Sequence, residues 1–294
     1  MSQTIRTAVF PVAGRGTRIL PASKAIPKEM LPIVDKPLIQ YAVEEAIAAG
    51  ATNLVFITGS TKKAIENHFA ADPELEQALT KPGKEDLLDA VKNVIPSDVS
   101  CTYINQGVPL GLGHAVLCAK EAVGDEPFYV HLCDDLIAGD PPCLSQMLAE
   151  YRKHGGSVVA VETVPPENTS SYGVVAVNKS NRMSQIVEKP APEDAPSNLA
   201  VVGRYLLSNE IFDKLENTGR GAGGEIQLTD AIADLLKESP VFAYPFTGER
   251  YDCGNKLGYL KAIVGYGLNN ADTATPFRDY LRQLLDNKQD QANQ

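Results

Sequence analysis

The sequence predicts an α/β protein: a Rossmann-like sheet, mixed but mainly parallel and flanked by helices, with a β-rich portion in the second half. Three features point there. Short apolar runs alternate with stretches of helical period in the first half, and strand–helix–strand order implies parallel strands joined by right-handed crossovers. Several of those runs end in distinctive loops, where α/β sheets place their ligands. From Ser157 the texture changes to short β-rich runs broken by Pro, Gly and Asn.

The elements follow in order. Thr7–Val12 reads as a buried strand entering a Gly-rich loop. After Pro37, apolar pairs at Leu38/Ile39, Ala42/Val43 and Ala46/Ile47 give a helical period that ends before Gly50. Leu54–Thr58 is the next strand and Lys62–Phe69 a helix. Cys101–Asn105 and Phe128–Cys133 continue the strands, and Pro141–His154 is a helix stopped by Gly155 and Gly156. "SVVAVETV", "YGVVAV", "SQIVEKP" and "LAVVGRYLL" form the β-rich portion. Helices return at Ser208–Glu216 and Glu225–Lys237. A C-terminal helix precedes the polar tail "DNKQDQANQ", which is expected to fray. With no repeat and no low-complexity linker, one domain over residues 1–294 is the economical organisation. Its parts are residues 1–156, 157–265 and 266–294.

Bulk properties narrow the function. A chain of 294 residues buries a core without staples, and 44% hydrophobic with 22% charged residues is ordinary for a globular protein. A net charge of -10 excludes a general nucleic-acid binder, whose footprint is basic. The cysteines (Cys101, Cys118, Cys133, Cys143 and Cys253) show no C-x-x-C pair, so reduced and mostly buried thiols are expected. The start lacks a signal-peptide pattern and no run approaches the roughly 18 apolar residues of a membrane span. A cytoplasmic protein without a membrane partner is the expectation.

Against this acidic background, "VAGRGTRILPASKAIPKEMLPI" (Val12–Ile33) gathers Arg15, Arg18, Lys24 and Lys28 around the single acid Glu29. It is not a dinucleotide fingerprint, because Ile19 stands where the third glycine belongs, and it is not a P-loop. Its ingredients still suit phosphate. Gly14 and Gly16 let backbone N–H groups approach oxygens, Arg15 and Arg18 can bind them in bidentate fashion, and Lys28 adds a point charge. A solvated basic loop is the alternative these residues leave open.

Four other stretches carry candidate chemistry. In "NQGVPLGLGHAV", Gly111 and Gly113 permit close approach at a helix N-terminus, and Gln106 offers the donor and acceptor that a base edge needs. "HLCDDLI" puts Asp134 and Asp135 at the carboxyl end of a strand. Acids beside a phosphate loop suit a hard divalent cation, and Asp135 is read as a helix or turn cap. Asp252 in "RYDCGNKLGYL" stands evenly between metal ligand and turn residue, with Cys253 as packing. In "IVEKP", Glu188 can accept bonds from hydroxyls and Lys189 can hold a phosphate. Strand neighbours face opposite sides, so both reach one ligand only if the chain bends near Pro190. "GRGAGGEIQLTDAI" is assigned no chemistry. His68, His114, His131 and His154 lack metal spacing, and His114 and His131 are read as packing residues.

The run "AGRGTR…PKEMLPIVDKPLIQY" resembles the signature of the sugar-1-phosphate nucleotidylyltransferases, and the likeness covers nearly the whole chain. The resemblance implies their nucleotide-diphospho-sugar transferase fold, with residues 1–156 mainly nucleotide-binding and 157–265 mainly sugar-phosphate-binding. It implies uridylyl transfer from UTP to α-D-glucose 1-phosphate, assisted by Mg2+, by in-line attack on the α-phosphorus and without a general base. It places Ala13, Gly14, Gln106 and Gly111 at the base, and Arg18 and the Gly14–Gly16 backbone at the outer phosphates, while Arg15, a position at which related loops vary, is a nucleotide contact by its own chemistry. Lys28 falls to the α-phosphate, and Asp134 and Asp252 to the metal. Glu188 goes to the hexose, Lys189 to its phosphate, and Gly173 and Gly203 to backbone contacts with the sugar. It also implies a homo-oligomer, dimer or tetramer. Three readings compete. One is a sister enzyme using dTTP, another nucleotide or another hexose 1-phosphate. The second is a non-catalytic nucleotide-sugar sensor, which predicts damage at the acids or Lys28 that the sequence does not show. The third is a dinucleotide oxidoreductase, weakened by Ile19 and by Gly59, Ser60 and Thr61 where an acid is needed.

Overall fold

The computed structural model describes residues 4–59 and 63–292. Its strands are β1 (Thr7–Pro11), β2 (Pro32–Ile33), β3 (Lys36–Pro37), β4 (Asn53–Thr58), β5 (Ser100–Asn105), β6 (Phe128–His131), β7 (Asp135–Ala138), β8 (Ser157–Thr163), β9 (Gly173–Val177), β10 (Met183–Glu188), β11 (Leu199–Leu207), β12 (Val241–Pro245) and β13 (Glu249–Asp252). Its helices are α1 (Leu38–Ala48), α2 (Lys63–Phe69), α3 (Pro73–Leu79), α4 (Glu85–Lys92), α5 (Leu112–Leu117), α6 (Lys120–Val123), α7 (Cys143–His154), α8 (Ile211–Asn217), α9 (Leu228–Leu235), α10 (Lys256–Asn269) and α11 (Ala274–Ala292). Lys62, with Ser60 and Thr61, lies outside the described residues.

The expected strands of the first half pair in parallel, in the order β6-β1-β4-β5. Antiparallel pairing enters at β11, which lies against β6, β8 and β9 and so joins the two halves into one nine-stranded sheet. Side chains leave a strand alternately to either face, and the core records it. Ala8, Phe10, Leu54 and Phe56 pack on one face with α1 and α7. Val9, Val55 and Ile57 pack on the other with α5, α8 and α9. Both faces are covered, which is why these strands read as unbroken apolar runs.

A third cluster matters most for function. Ile19, Leu31 and Ile33 from the basic loop pack with Leu136, Tyr251, Cys253 and Ala262. Ile19, which breaks the dinucleotide fingerprint, is therefore a core residue. It fastens the loop to the two-stranded ribbon of β7 and β13. Cys253 packs here as expected, and all five cysteines are free.

The sequence reading missed α3, α4 and the pairing of β12 with β8. Asp72 caps α3 by accepting from the Leu75 N–H at 3.0 Å, with Pro73 as the next residue. Within the tail, α11 continues through Ala292. Asp286–Ala292 contains no Gly or Pro, and its Lys, Gln and Ala residues tolerate a helix well. No described helix is long and apolar enough to cross a membrane.

Behind the carboxyl end of β6 lies a buried charged network. Glu45 on α1 accepts from Arg204 Nε at 3.1 Å and Nη2 at 2.9 Å, and from the Leu144 N–H at 3.0 Å. His131 Nε2 meets Glu45 Oε2 at 3.2 Å, and Arg204 Nη1 donates to the Leu132 carbonyl at 3.2 Å. The expected packing role of His131 thus includes a polar contact. Burial alone would raise the Glu45 carboxyl, but Arg204 and then His131 hold it well below the usual range. Burial, then Arg204, push His131 down to about 4, against the pull of Glu45.

The sign of the linkage follows. An unfolded histidine protonates near about pH 6.5, while native His131 resists until about 4. Its contribution to stability is full above about pH 6.5 and is lost as the pH falls from there toward 4. The denaturant midpoint of the wild type should decline across that window. In His131→Asn the decline should be shallower, measured by chemical denaturation at both ends of the range.

Candidate active site

The carboxyl ends of the parallel strands open into three adjoining chambers. The smallest, about 230 Å³, is lined by Ala13, Gly14, Gln106, Gly111 and Glu225 among others. Gln106 is buried, and its Nε2 donates to the Gly111 carbonyl at 3.2 Å and meets His114 Nδ1 at 3.1 Å. His114 thus orients the proposed base reader instead of merely packing. Gly111 has φ +116, and a Cβ there would lie 2.7 Å from the Ile226 carbonyl; one at Gly113 would lie 2.8 Å from the same oxygen. Ile226 N–H donates to the Leu110 carbonyl at 2.7 Å, and Gly113 N–H donates to the Ile226 carbonyl at 2.9 Å. These glycines admit the chain's own backbone, in the segment Gly219–Ile232 to which no chemistry was assigned.

The second chamber, about 330 Å³, shares Ala13 and Gly14 and adds Arg15, Ser23, Lys24, Pro27 and Lys28. Gly16 (φ +61) lets the loop fold on itself: Ser23 Oγ donates to its carbonyl at 2.7 Å, and a Cβ would crowd Lys28 and Ser23 at 3.1 Å. Around Gly14, by contrast, nothing stands within 4 Å of an added Cβ. Gly14 leaves room for a ligand, whereas Gly16 serves the turn. Lys24, counted in the sequence as one more cation of the run, lines this chamber with Arg15 and Lys28.

The third chamber, about 500 Å³, collects Arg18, Asp134, Asp135, Gly173, Glu188, Lys189, Gly203, Arg250 and Asp252. Lys28 Nζ binds Asp134 Oδ2 at 2.5 Å. Burial would raise Asp134, yet Lys28 holds it below the usual carboxylate range; burial would lower Lys28, yet Asp134 holds it up. Asp135 is not the expected cap. It pairs with Arg250, whose Nε donates to Oδ1 at 2.6 Å. Burial, opposed by Arg250 and reinforced by Asp134 and Asp252, pushes the Asp135 carboxyl up to about 6.

The bend needed at "EKP" occurs at Lys189 itself, just past the end of β10, with φ +46. It brings Lys189 Nζ to 2.9 Å from Glu188 Oε1, so both face one chamber. Thr229 Oγ1 donates to Glu188 Oε2 at 2.9 Å. A Cβ at Gly173 would strike Thr229 Cγ2 at 2.7 Å, and one at Gly203 (φ +68) would strike Asp135 Oδ2 at 2.7 Å. Both glycines keep chamber walls thin.

Glu225, Gln227, Thr229 and Arg250 are among the wall residues that escaped the sequence reading. Arg250 had a signal, since it lies two positions before Asp252 on one strand and so shares its face. Glu225, Gln227 and Thr229 had none, because only the docking of Ile226 on Leu110 and Gly113 brings them there.

The family model described as nucleotidyl transferase matches residues 8–267. The chain belongs to the nucleotidyl transferase family. A UTP–glucose-1-phosphate uridylyltransferase of Haemophilus influenzae is 49% identical over 289 residues, covering 94% of this chain and 98% of the relative. A UTP-bound UGPase from Acinetobacter baumannii superposes with a TM-score of 0.89 at 45% identity, covering 95% of this chain and 99% of that one. A UDP-glucose pyrophosphorylase complexed with UDP-glucose gives a TM-score of 0.83 at 44% identity, over 90% and 100% of the two chains.

One glycine marks where the charges of this nucleotidyl transferase converge. A Cβ on Gly254 would lie 2.7 Å from Asp134 Oδ2, 2.9 Å from Arg18 Nη2 and 2.9 Å from Asp252 Oδ1. Gly254 N–H donates to that Asp252 oxygen at 2.9 Å, and Cys253 N–H donates to the Asp134 carbonyl at 2.7 Å. The pair Asp134 and Asp252 offers two carboxylates to one point. Among the described residues no third His, Cys, Asp or Glu closes a metal cage. That donor set suits a cation that takes its remaining oxygens from phosphate.

Gly254→Ala is the corresponding test. The methyl group meets side-chain ends that can yield, so the fold should persist, with a melting temperature close to wild type. Displacing three charged groups together should cost about 100-fold or more in kcat.

Proposed function

We propose that this protein transfers the uridylyl group of UTP to α-D-glucose 1-phosphate, forming UDP-glucose and releasing pyrophosphate, with Mg2+ as the assisting cation. The observation that carries the reading is the convergence of Arg18, Lys28, Asp134 and Asp252 between a base-sized chamber and a hydroxyl-reading one. Residues 1–156 then serve mainly the nucleotide and 157–265 mainly the sugar phosphate.

The nucleophile is a phosphate oxygen, already an anion, so no side chain need remove a proton. The obstacle is repulsion: two substrates of this kind bring together on the order of six negative charges. Ala13 and Gly14 line the base chamber, where the Gln106 amide can accept from the N3–H of uracil while its Nε2 stays tied to Gly111. Gly14, Gly16, Arg15 and Arg18 bind the outer phosphates, with Lys24 beside them. Lys28, beside Asp134, stabilises charge growing on the α-phosphate. Asp134 and Asp252 would hold the Mg2+, which would supply positive charge to offset the phosphates. Glu188 reads hexose hydroxyls, Lys189 aligns the attacking phosphate, and Gly173 and Gly203 let the sugar lie close to the backbone. Catalysis is positioning and charge neutralisation.

Free thiols throughout suit a reducing cytoplasm. Exposed Leu257, Leu260, Tyr280 and Leu285 on α10 and α11 support self-association into a homodimer or tetramer.

Incubation with MgCl2, UTP and glucose 1-phosphate should yield UDP-glucose and pyrophosphate, resolved by anion-exchange chromatography. Faster pyrophosphate release with dTTP, CTP or ATP would reassign the base. Lys28→Ala should lose about 1,000-fold in kcat with an unchanged circular dichroism spectrum; a normal rate would remove that cation from the mechanism.

A further inference from the structure

The reaction as read above leaves the pair of Asp135 and Arg250 without a task. Arg250 is 7% exposed and is held from three sides. Its Nε donates to Asp135 Oδ1 at 2.6 Å, and Nη2 pairs with the same oxygen. Its Nη1 donates to Glu162 Oε2 at 3.2 Å, and the guanidinium lies 5.3 Å from the centre of the Tyr172 ring. A guanidinium gripped this way has a fixed plane, unlike a surface cation.

Both guanidinium contacts to Asp135 end on Oδ1. Oδ2 lies at the chamber wall, beside the place where Gly203 lacks a side chain. Glu188 in the same chamber is held differently, with one oxygen on Lys189 and the other on Thr229. Charge gives a second reason for the arrangement. Asp134, Asp135, Glu188 and Asp252 all line a space that has to admit a phosphate monoester. Lys28 offsets Asp134, Lys189 offsets Glu188, and Arg250 offsets Asp135. An uncompensated Asp135 would repel that phosphate through a poorly screened medium.

We infer that Arg250 is a positioning residue for the hexose 1-phosphate: it fixes Asp135 so that Oδ2 accepts from a sugar hydroxyl, and it cancels a charge that would exclude the sugar's phosphate. The inference rests on the uridylyl-transfer reading and adds a determinant to the sugar side of the same site.

The test is a comparison of the two KM values. Arg250→Met should raise KM for glucose 1-phosphate by about tenfold or more and leave KM for UTP within about twofold. Adding Asp135→Asn to that variant should recover about threefold or more of the loss, because the uncompensated charge is gone. A residue that only stabilised the fold would raise both KM values together, lower the melting temperature and show no recovery. If Arg250→Met does not fold, Arg250→Lys keeps the charge and loses the fork; its KM for glucose 1-phosphate alone should rise by about threefold. Parallel changes in both KM values, an unchanged KM for glucose 1-phosphate, or no recovery in the double variant would overturn the inference. Wild-type turnover in the same assay tests the underlying reading separately: an inactive wild type defeats that reading, and an active wild type with indifferent variants defeats only this one.

Discussion

The contact between Lys28 and Asp134 is the constraint around which the charges of the site are arranged. It joins a basic loop near the start of the chain to an acidic loop more than a hundred positions later, partly buried at the chamber wall, at 2.5 Å. Two such groups can share a partly buried place only if each offsets the other's loss of water. The structure meets that condition by packing. Ile19, Leu31 and Ile33 pin the basic loop against Leu136, Tyr251 and Cys253 of the acidic ribbon, so the cations and acids are held in register by apolar contacts.

A second charged layer lies behind the first. Glu45, Arg204 and His131 are buried, and Arg204 grips the Leu132 carbonyl just ahead of Asp134. Leu132 N–H in turn donates to Gly203 at 2.9 Å. The acidic loop is thus fastened from the interior by a network that lines none of the three chambers, while its front face lines the largest of them. This division matters for a reaction whose catalyst is mostly fixed charge: preorganised groups need not reorient as the transition state forms.

Glycines divide into two kinds here, and their physical reasons differ. Gly14 opens on empty space and suits a ligand. Gly16, Gly111, Gly113 and Gly254 each admit part of the chain itself, whether a neighbouring side chain, the Ile226 carbonyl or three converging charges. In a sequence motif the two kinds look the same.

What the sequence determined is everything set by local pattern: the parallel strands, the helices that cover them, the basic loop, the acids after β6 and the positions of Glu188 and Lys189. Apolar periodicity and loop chemistry act over a few residues, so they are legible in one dimension. Tertiary structure decided which charges meet. Asp135 turned from an expected cap into the partner of Arg250, 115 positions away. Thr229 came to hold Glu188, and the segment Gly219–Ile232 gained a place in the site. Even the bend at Lys189 depends on its N–H reaching the Tyr172 carbonyl at 2.9 Å. Such pairings are chosen by the packing of distant segments, which leaves no periodic trace in the chain, and that is why the sequence could name most of the charged groups but not their partners.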